Sequence, residues 1–288
     1  MEKKLETDTR LSYSSASLLS QCSMKYWHRK VNNTPVDTDQ EQDTEAFRIG
    51  KAFHDVLERT MHTSSGLETA LAIAVKEHEV EYYEGMIHAM LLRYLQVHEK
   101  SGLTAVKCEL GLSNDQFVGF VDVILSDDKG NWWIADLKTA SRVADTTFAR
   151  LPKDRQLNLY ASFAHEIAEH LKLDIEKFMG CRYRVTTKSN LKKKASESYS
   201  AHVKRTAKNV KSYDVIIPIE VMNPSEFYKV HMVQHEVTMK LRTGEIAPSK
   251  NFGACEAYFK PCDYWSNCFG CTFSEGRAKA NMLTTDNV

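Results

Sequence analysis

Gly119-Phe120-Val121-Asp122-Val123-Ile124-Leu125 is followed, after a polar turn, by Trp132-Trp133-Ile134-Ala135-Asp136-Leu137-Lys138-Thr139. The two runs read as strands of a hairpin. Side chains two apart on a strand share a face, so Asp136 and Lys138 point together, and Asp122 on the preceding strand converges on them. Unpaired charge on an apolar strand is costly, so these groups serve each other or a metal. Two acids hold a divalent cation, and a lysine beside it positions a water or offsets developing negative charge. This set suits metal-dependent hydrolysis of a phosphodiester. The competing reading is a surface ion pair between Asp136 and Lys138.

The 288 residues allow one large domain or two small ones. Basic and acidic residues number 38 each, so the net charge is zero and nucleic-acid contact must come from a local patch. No apolar run is long enough to span a membrane, and Met1-Glu2-Lys3-Lys4-Leu5-Glu6 lacks the apolar core of a signal peptide. A cytoplasmic protein without a membrane partner is expected. Seven cysteines, an odd count, argue against a complete disulfide framework.

The expected organisation is one α/β domain over 1–288, with a mixed central sheet flanked by helices. Residues 11–105 form a helical portion, 106–222 the core, and 223–273 a helix followed by a cysteine segment. The serines before Leu18 cap a short helix. Residues 37–45, with five acids and no base, form a solvated polar loop. Helices follow Gly50 and fill 67–99. Arg155 to His170 has helical period, with Leu157, Tyr160, Ala161, Ala164 and Ile167 on one side. Strand-like runs occupy 179–186 and 213–221. Pro224 opens a helix to about Thr243, and Gly244 stops it.

Cys255, Cys262, Cys268 and Cys271 fall within 17 residues. A cluster of this density in a cytosolic chain suits a metal site better than disulfides. Cys22 supplies a further ligand and ties the N-terminal helix to the C-terminal segment. Thiolates serve zinc or an iron–sulfur cluster equally; the other reading is unligated thiols in an aromatic mini-core. Cys108 and Cys181 sit in strand-like runs and belong to the core.

A basic stretch carries Lys188, Lys192, Lys193, Lys194, Lys204 and Arg205, with Glu197 as the acid among them. This local excess suits a phosphate backbone, and weak apolar periodicity between Lys188 and Lys211 predicts a loop that orders on DNA. A solvated loop kept soluble by its charge is the alternative.

Gly50-x-x-x-His54, Gly119-x-x-Asp122, Asp136-x-Lys138 and Gln156-x-x-x-Tyr160 occur in this order. Together with Cys22 and the C-terminal cysteines, they resemble the RecB-type branch of the PD-(D/E)XK nucleases. The resemblance reaches the iron–sulfur exonuclease subset, which includes AddB-type, CRISPR adaptation-type and phage exonucleases, and covers about residues 11–273. It implies a restriction-endonuclease-like fold and a DNA exonuclease dependent on Mg²⁺ or Mn²⁺, acting in recombination, repair or phage DNA processing. It implies metal ligation by His54, Asp122, Asp136 and the Leu137 carbonyl, with Lys138 activating water and Gln156 and Tyr160 contacting DNA. It implies a 4Fe-4S cluster on Cys22, Cys255, Cys262 and Cys268, with Cys271 the alternative to Cys268. The cysteine spacing, C-x6-C-x5-C-x2-C, departs from the usual C-x2-C-x5-C. The substrate is DNA, as single strands or duplex ends. A helicase or recombination protein would be a separate partner, and a DNA-end binding subunit of a larger complex is the second functional reading.

Overall fold

The computed structural model describes residues 9–36, 44–62, 66–255 and 262–270. The acidic run 37–43 and Cys271 therefore lie outside the described residues. The described residues fall into two compact units, one within 43–112 and 119–229, the other within 1–42, 113–118 and 230–288.

The larger unit holds a five-stranded mixed sheet in the order β1 (Thr104–Ser113), β2 (Val118–Ser126), β3 (Trp132–Ala140), β4 (Phe178–Thr187), β5 (Ser212–Pro218). β2 and β3 pair antiparallel, β3 and β4 parallel, and β4 and β5 antiparallel. The parallel step demands a crossover. Helices α6 (Asp145–Arg150), α7 (Arg155–Ala161) and α8 (Ala164–Leu171) supply it. Trp132 through Leu137 are all buried, as a central strand covered on both faces requires. The hairpin expected from the sequence is β2 and β3, with β1 beside β2 and β4 beside β3.

Helices α3 (Glu45–His62), α4 (Leu67–Glu77) and α5 (Glu84–Ser101) build the core of this unit with the sheet. α3 starts at Glu45, inside the stretch expected to be polar loop. The Thr44 hydroxyl accepts the Phe47 amide, and Glu45 places negative charge at the positive helix end. Ala52, Phe53, Val56 and Leu57 form its buried stripe.

The basic stretch is not one long loop: α9 (Tyr199–Ala207) occupies part of it. Ser198 caps α9 by accepting the Ala201 amide, and His202, Val203 and Thr206 are buried. Its packing needs Gly85 on α5, where an added Cβ would stand 2.6 Å from His202 Cδ2. Two of the three buried positions are polar, which masks the helical period in the sequence.

Beneath β4 and β5, Arg182 and Arg184 share the Asp214 carboxylate, with shortest contacts of 2.8 Å. Arg184 also reaches Tyr94, His98 and Ser101. The carboxyl is held below its usual range because these arginine contacts overcome the burial that would raise it.

In the other unit, Leu11, Ala16, Leu18, Leu19, Tyr26 and Leu241 form a small core. They come from α1 (Tyr13–Gln21), α2 (Ser23–Tyr26), α10 (Pro224–Thr243) and the chain before α1. Leu11 bridges to Phe117. Ser12 caps α1 by accepting the Ser15 amide. A five-residue helix α11 (Trp265–Phe269) closes the described chain.

Candidate active site

Strand geometry places the acids and the lysine together. Asp136 on β3 is 3% exposed, and its Oδ1 accepts from Lys138 Nζ at 2.7 Å. Lys138 also donates to Gln156 Oε1 at 3.3 Å, and Gln156 Nε2 donates to Tyr160 Oη at 3.1 Å. The last two side chains lie one turn apart on α7, which the Asp154 carboxylate caps through the Leu157 amide. Asp122 on β2 accepts the Leu137 amide at 2.6 Å, locking the two acid-bearing strands together.

His54 arrives from α3. One turn earlier, a Cβ at Gly50 would stand 3.1 Å from Thr139 Oγ1, so glycine lets α3 approach β3 closely. The spacing between Gly50 and His54 thus has a packing cause. Ligand atoms of His54, Asp122 and Glu109 lie within 4.8 Å of one another.

Glu109 is the functional candidate that sequence reading missed. It sits on β1 with φ of +45°, in the left-handed region that non-glycine residues rarely adopt. Neighbouring Lys107, Cys108 and Glu109 form no motif, and nothing local marks the backbone turn that aims this carboxylate.

Burial dominates the electrostatics. It lifts the Asp136 carboxyl to about 6, with Lys138 opposing and Asp122 reinforcing. Asp122 is raised by the same burial, against Lys138 and the Leu137 amide. Glu109 reaches about 7 through burial, Asp122 and Glu58. Burial and Lys138 push His54 down to about 4, so its imidazole is neutral and offers a lone pair. Crowded carboxylates and a neutral imidazole suit a hard divalent cation that would offset the mutual repulsion.

His54, Glu109, Leu137 and Lys138, among others, line a cleft of about 820 Å³; Asp122 joins the ligand group of His54 and Glu109, and Asp136 meets the cleft through Lys138. Lys188 lines it too and donates to the Ala46 carbonyl at 2.6 Å. Lys192 and Lys193 line a neighbouring groove, whereas Lys204 lines a separate depression beside His88 and Arg93. Arg205 is engaged with Glu197 at 2.7 Å, and the Lys194 amide donates to the same carboxylate.

In the smaller unit, the Asn251 amide donates to Cys22 Sγ at 3.4 Å, and the Cys262 amide to the Cys255 carbonyl at 2.7 Å. Burial raises the Cys268 thiol, Lys250 opposes this, and the thiols of Cys262, Cys22 and Cys255 add to it. The four sulfurs therefore share one neighbourhood, and none forms a disulfide. His28 Nε2 lies 3.9 Å from Cys268 Sγ. Tyr26 and Tyr264 are buried in this unit.

The model of the PD-(D/E)XK nuclease superfamily matches residues 10–269. The chain belongs to the PD-(D/E)XK nuclease superfamily. The mixed five-stranded sheet and flanking helices agree with that fold, and membership implies metal-dependent phosphodiester hydrolysis and a DNA substrate. Comparison with curated proteins gave no match. Among the described residues no helix is long and apolar enough to cross a membrane.

Proposed function

We propose that this PD-(D/E)XK protein is a DNA exonuclease that uses Mg²⁺ or Mn²⁺, acting in recombination, repair or phage DNA processing. The observation that carries the reading is the convergence of His54, Glu109 and Asp122, with the Asp136–Lys138 ion pair on the strand that Asp122 holds through the Leu137 amide. His54, Glu109, Asp122 and Asp136 would hold the cation, with the Leu137 carbonyl as a further oxygen. When bound, the cation supplies Lewis-acid polarisation of the scissile phosphate.

The remaining work falls to the chain itself. Lys138 donates to the attacking water and offsets the negative charge that grows on the phosphate. Gln156 holds the ammonium in place from one side, and Tyr160 holds Gln156. Asp122 fixes Leu137, so the backbone between the two acids stays aligned with the cleft.

Cys22, Cys255, Cys262 and Cys268 would bind a 4Fe-4S cluster. Their shared neighbourhood supports this, as does the hydrogen-bonded contact of Cys22 with the segment at Asn251. The cluster's contribution is a structural cross-link between distant parts of the chain.

Exonuclease action rests on the RecB-type motif order. Its test is cleavage of linear and closed circular DNA of one sequence with Mn²⁺. Loss of linear DNA with circles intact supports it; nicking of circles at a similar rate replaces it with an endonuclease on the same chemistry.

A further inference from the structure

A groove of about 620 Å³ opens beside the catalytic cleft, and Ala46 and Lys188 line both. Tyr82 and Tyr83 line this groove. Tyr82 is 72% exposed, the most exposed of the large apolar side chains in the described chain. Its ring stands edge-on to Tyr83, with centroids 5.0 Å apart and planes at 85°. The Tyr83 hydroxyl bonds to Glu45, so the ring that supports Tyr82 is itself anchored. The ring of Tyr82 is thus open to solvent beside Tyr83.

The groove also carries lysines. Lys192 and Lys193 are exposed on a loop that Arg205 holds through the Lys192 carbonyl at 2.9 Å and through Glu197. Arg205 therefore acts on the lysines' position and not on a ligand directly. Two of the groove's carboxylates are already engaged: Glu45 with Tyr83, and Glu84 with the Tyr199 hydroxyl at 3.1 Å. Ile49 and Met86 add apolar lining.

An exposed ring and two lysines lining one groove suit an unpaired nucleotide. The base stacks on the ring and the phosphates meet the lysines. In a duplex each base is already stacked between its neighbours, so its faces are closed to Tyr82. We propose that this groove is a lane for single-stranded DNA continuous with the cleft, with a base on Tyr82 and phosphates on Lys192 and Lys193. The proposal rests on the nuclease reading for its ligand and goes beyond it in naming the lane and the strand state.

The test is binding of a fluorescent oligothymidylate in EDTA, read by anisotropy, beside a blunt hairpin duplex of equal length. Tyr82→Ala is expected to weaken oligothymidylate binding about tenfold, and Tyr82→Phe, which keeps the ring, by less than about twofold. Lys192→Ala with Lys193→Ala is expected to weaken it similarly and to reduce the salt slope by roughly 1.4. Duplex binding should stay unchanged in all three. Unchanged oligothymidylate binding in Tyr82→Ala, or an equal loss on duplex, overturns the lane. Circular dichroism confirms that each variant is folded. Cleavage by the wild-type chain is scored separately. A protein that cleaves nothing yet loses binding in these variants keeps the lane and loses the nuclease reading. One that cleaves while its variants bind normally keeps the nuclease reading and loses the lane.

Discussion

Lys138 Nζ lies 2.7 Å from Asp136 Oδ1, and that carboxylate is almost wholly buried. Burial works against the ammonium, but Asp136 and Asp122 outweigh it and keep Lys138 protonated. A bound cation and Lys138 therefore compete for the same negative charge. Lys138→Met keeps the length of the side chain and removes its charge. Calorimetric titration with Mn²⁺ is expected to show binding as tight as wild type or tighter, while DNA cleavage falls by about 10²–10⁴-fold. Loss of Mn²⁺ binding would instead make the lysine part of the cation's support.

Stability without metal should depend on pH through the same site. Asp136 at about 6 and Glu109 at about 7 both lie above ordinary carboxylate values. Each binds its proton more tightly in the folded protein. The stability this brings is complete below about pH 4 and is lost as pH rises through 6 and 7. The melting temperature of metal-free protein is expected to fall between pH 5 and pH 8. Glu109→Gln has no proton to lose there and should fall less steeply. A parallel decline in both proteins, read by calorimetry, would show that Glu109 does not titrate in this window.

The buried arginine pair makes a separate claim. Side chains of Arg182, Arg184 and Asp214 are 9%, 1% and 7% exposed. Asp214→Ala would leave two guanidinium groups without their shared carboxylate. Urea unfolding is expected to show a loss of about 3–5 kcal/mol. A loss under about 1 kcal/mol would mean that Tyr94, His98 and Ser101 suffice for Arg184.

Metal content tests the cysteine group. Anaerobically purified protein is expected to carry about four irons per chain and a broad visible absorption. Cys22→Ser should lose both, because the remaining ligands come from the far end of the chain. Zinc without iron would replace the cluster with a zinc site.

Much of the site could be read from the sequence because its signals are local. Asp136 and Lys138 alternate along one strand, and Gln156 and Tyr160 are spaced by one helical turn. The structure joins them by direct hydrogen bonds. Glu109 could not be read in this way. It reaches His54 and Asp122 only through the sheet's register and an unusual backbone angle, neither of which leaves a pattern in neighbouring residues. α9 was hidden for another reason. Its buried side holds a histidine and a threonine besides Val203, so polarity masked the helical period. The start of α3 depends on the Thr44 cap, which is a single hydroxyl in an acidic context.

Cleavage of end-labelled linear DNA by wild type and Asp136→Asn, with and without Mn²⁺, decides whether this buried carboxylate serves metal-dependent hydrolysis. The substitution keeps size and removes the buried charge. Metal-dependent cleavage by the wild type that falls by at least about 10²-fold in the folded variant is the predicted result. Equal cleavage by the two proteins, or cleavage that survives removal of the cation, would contradict it.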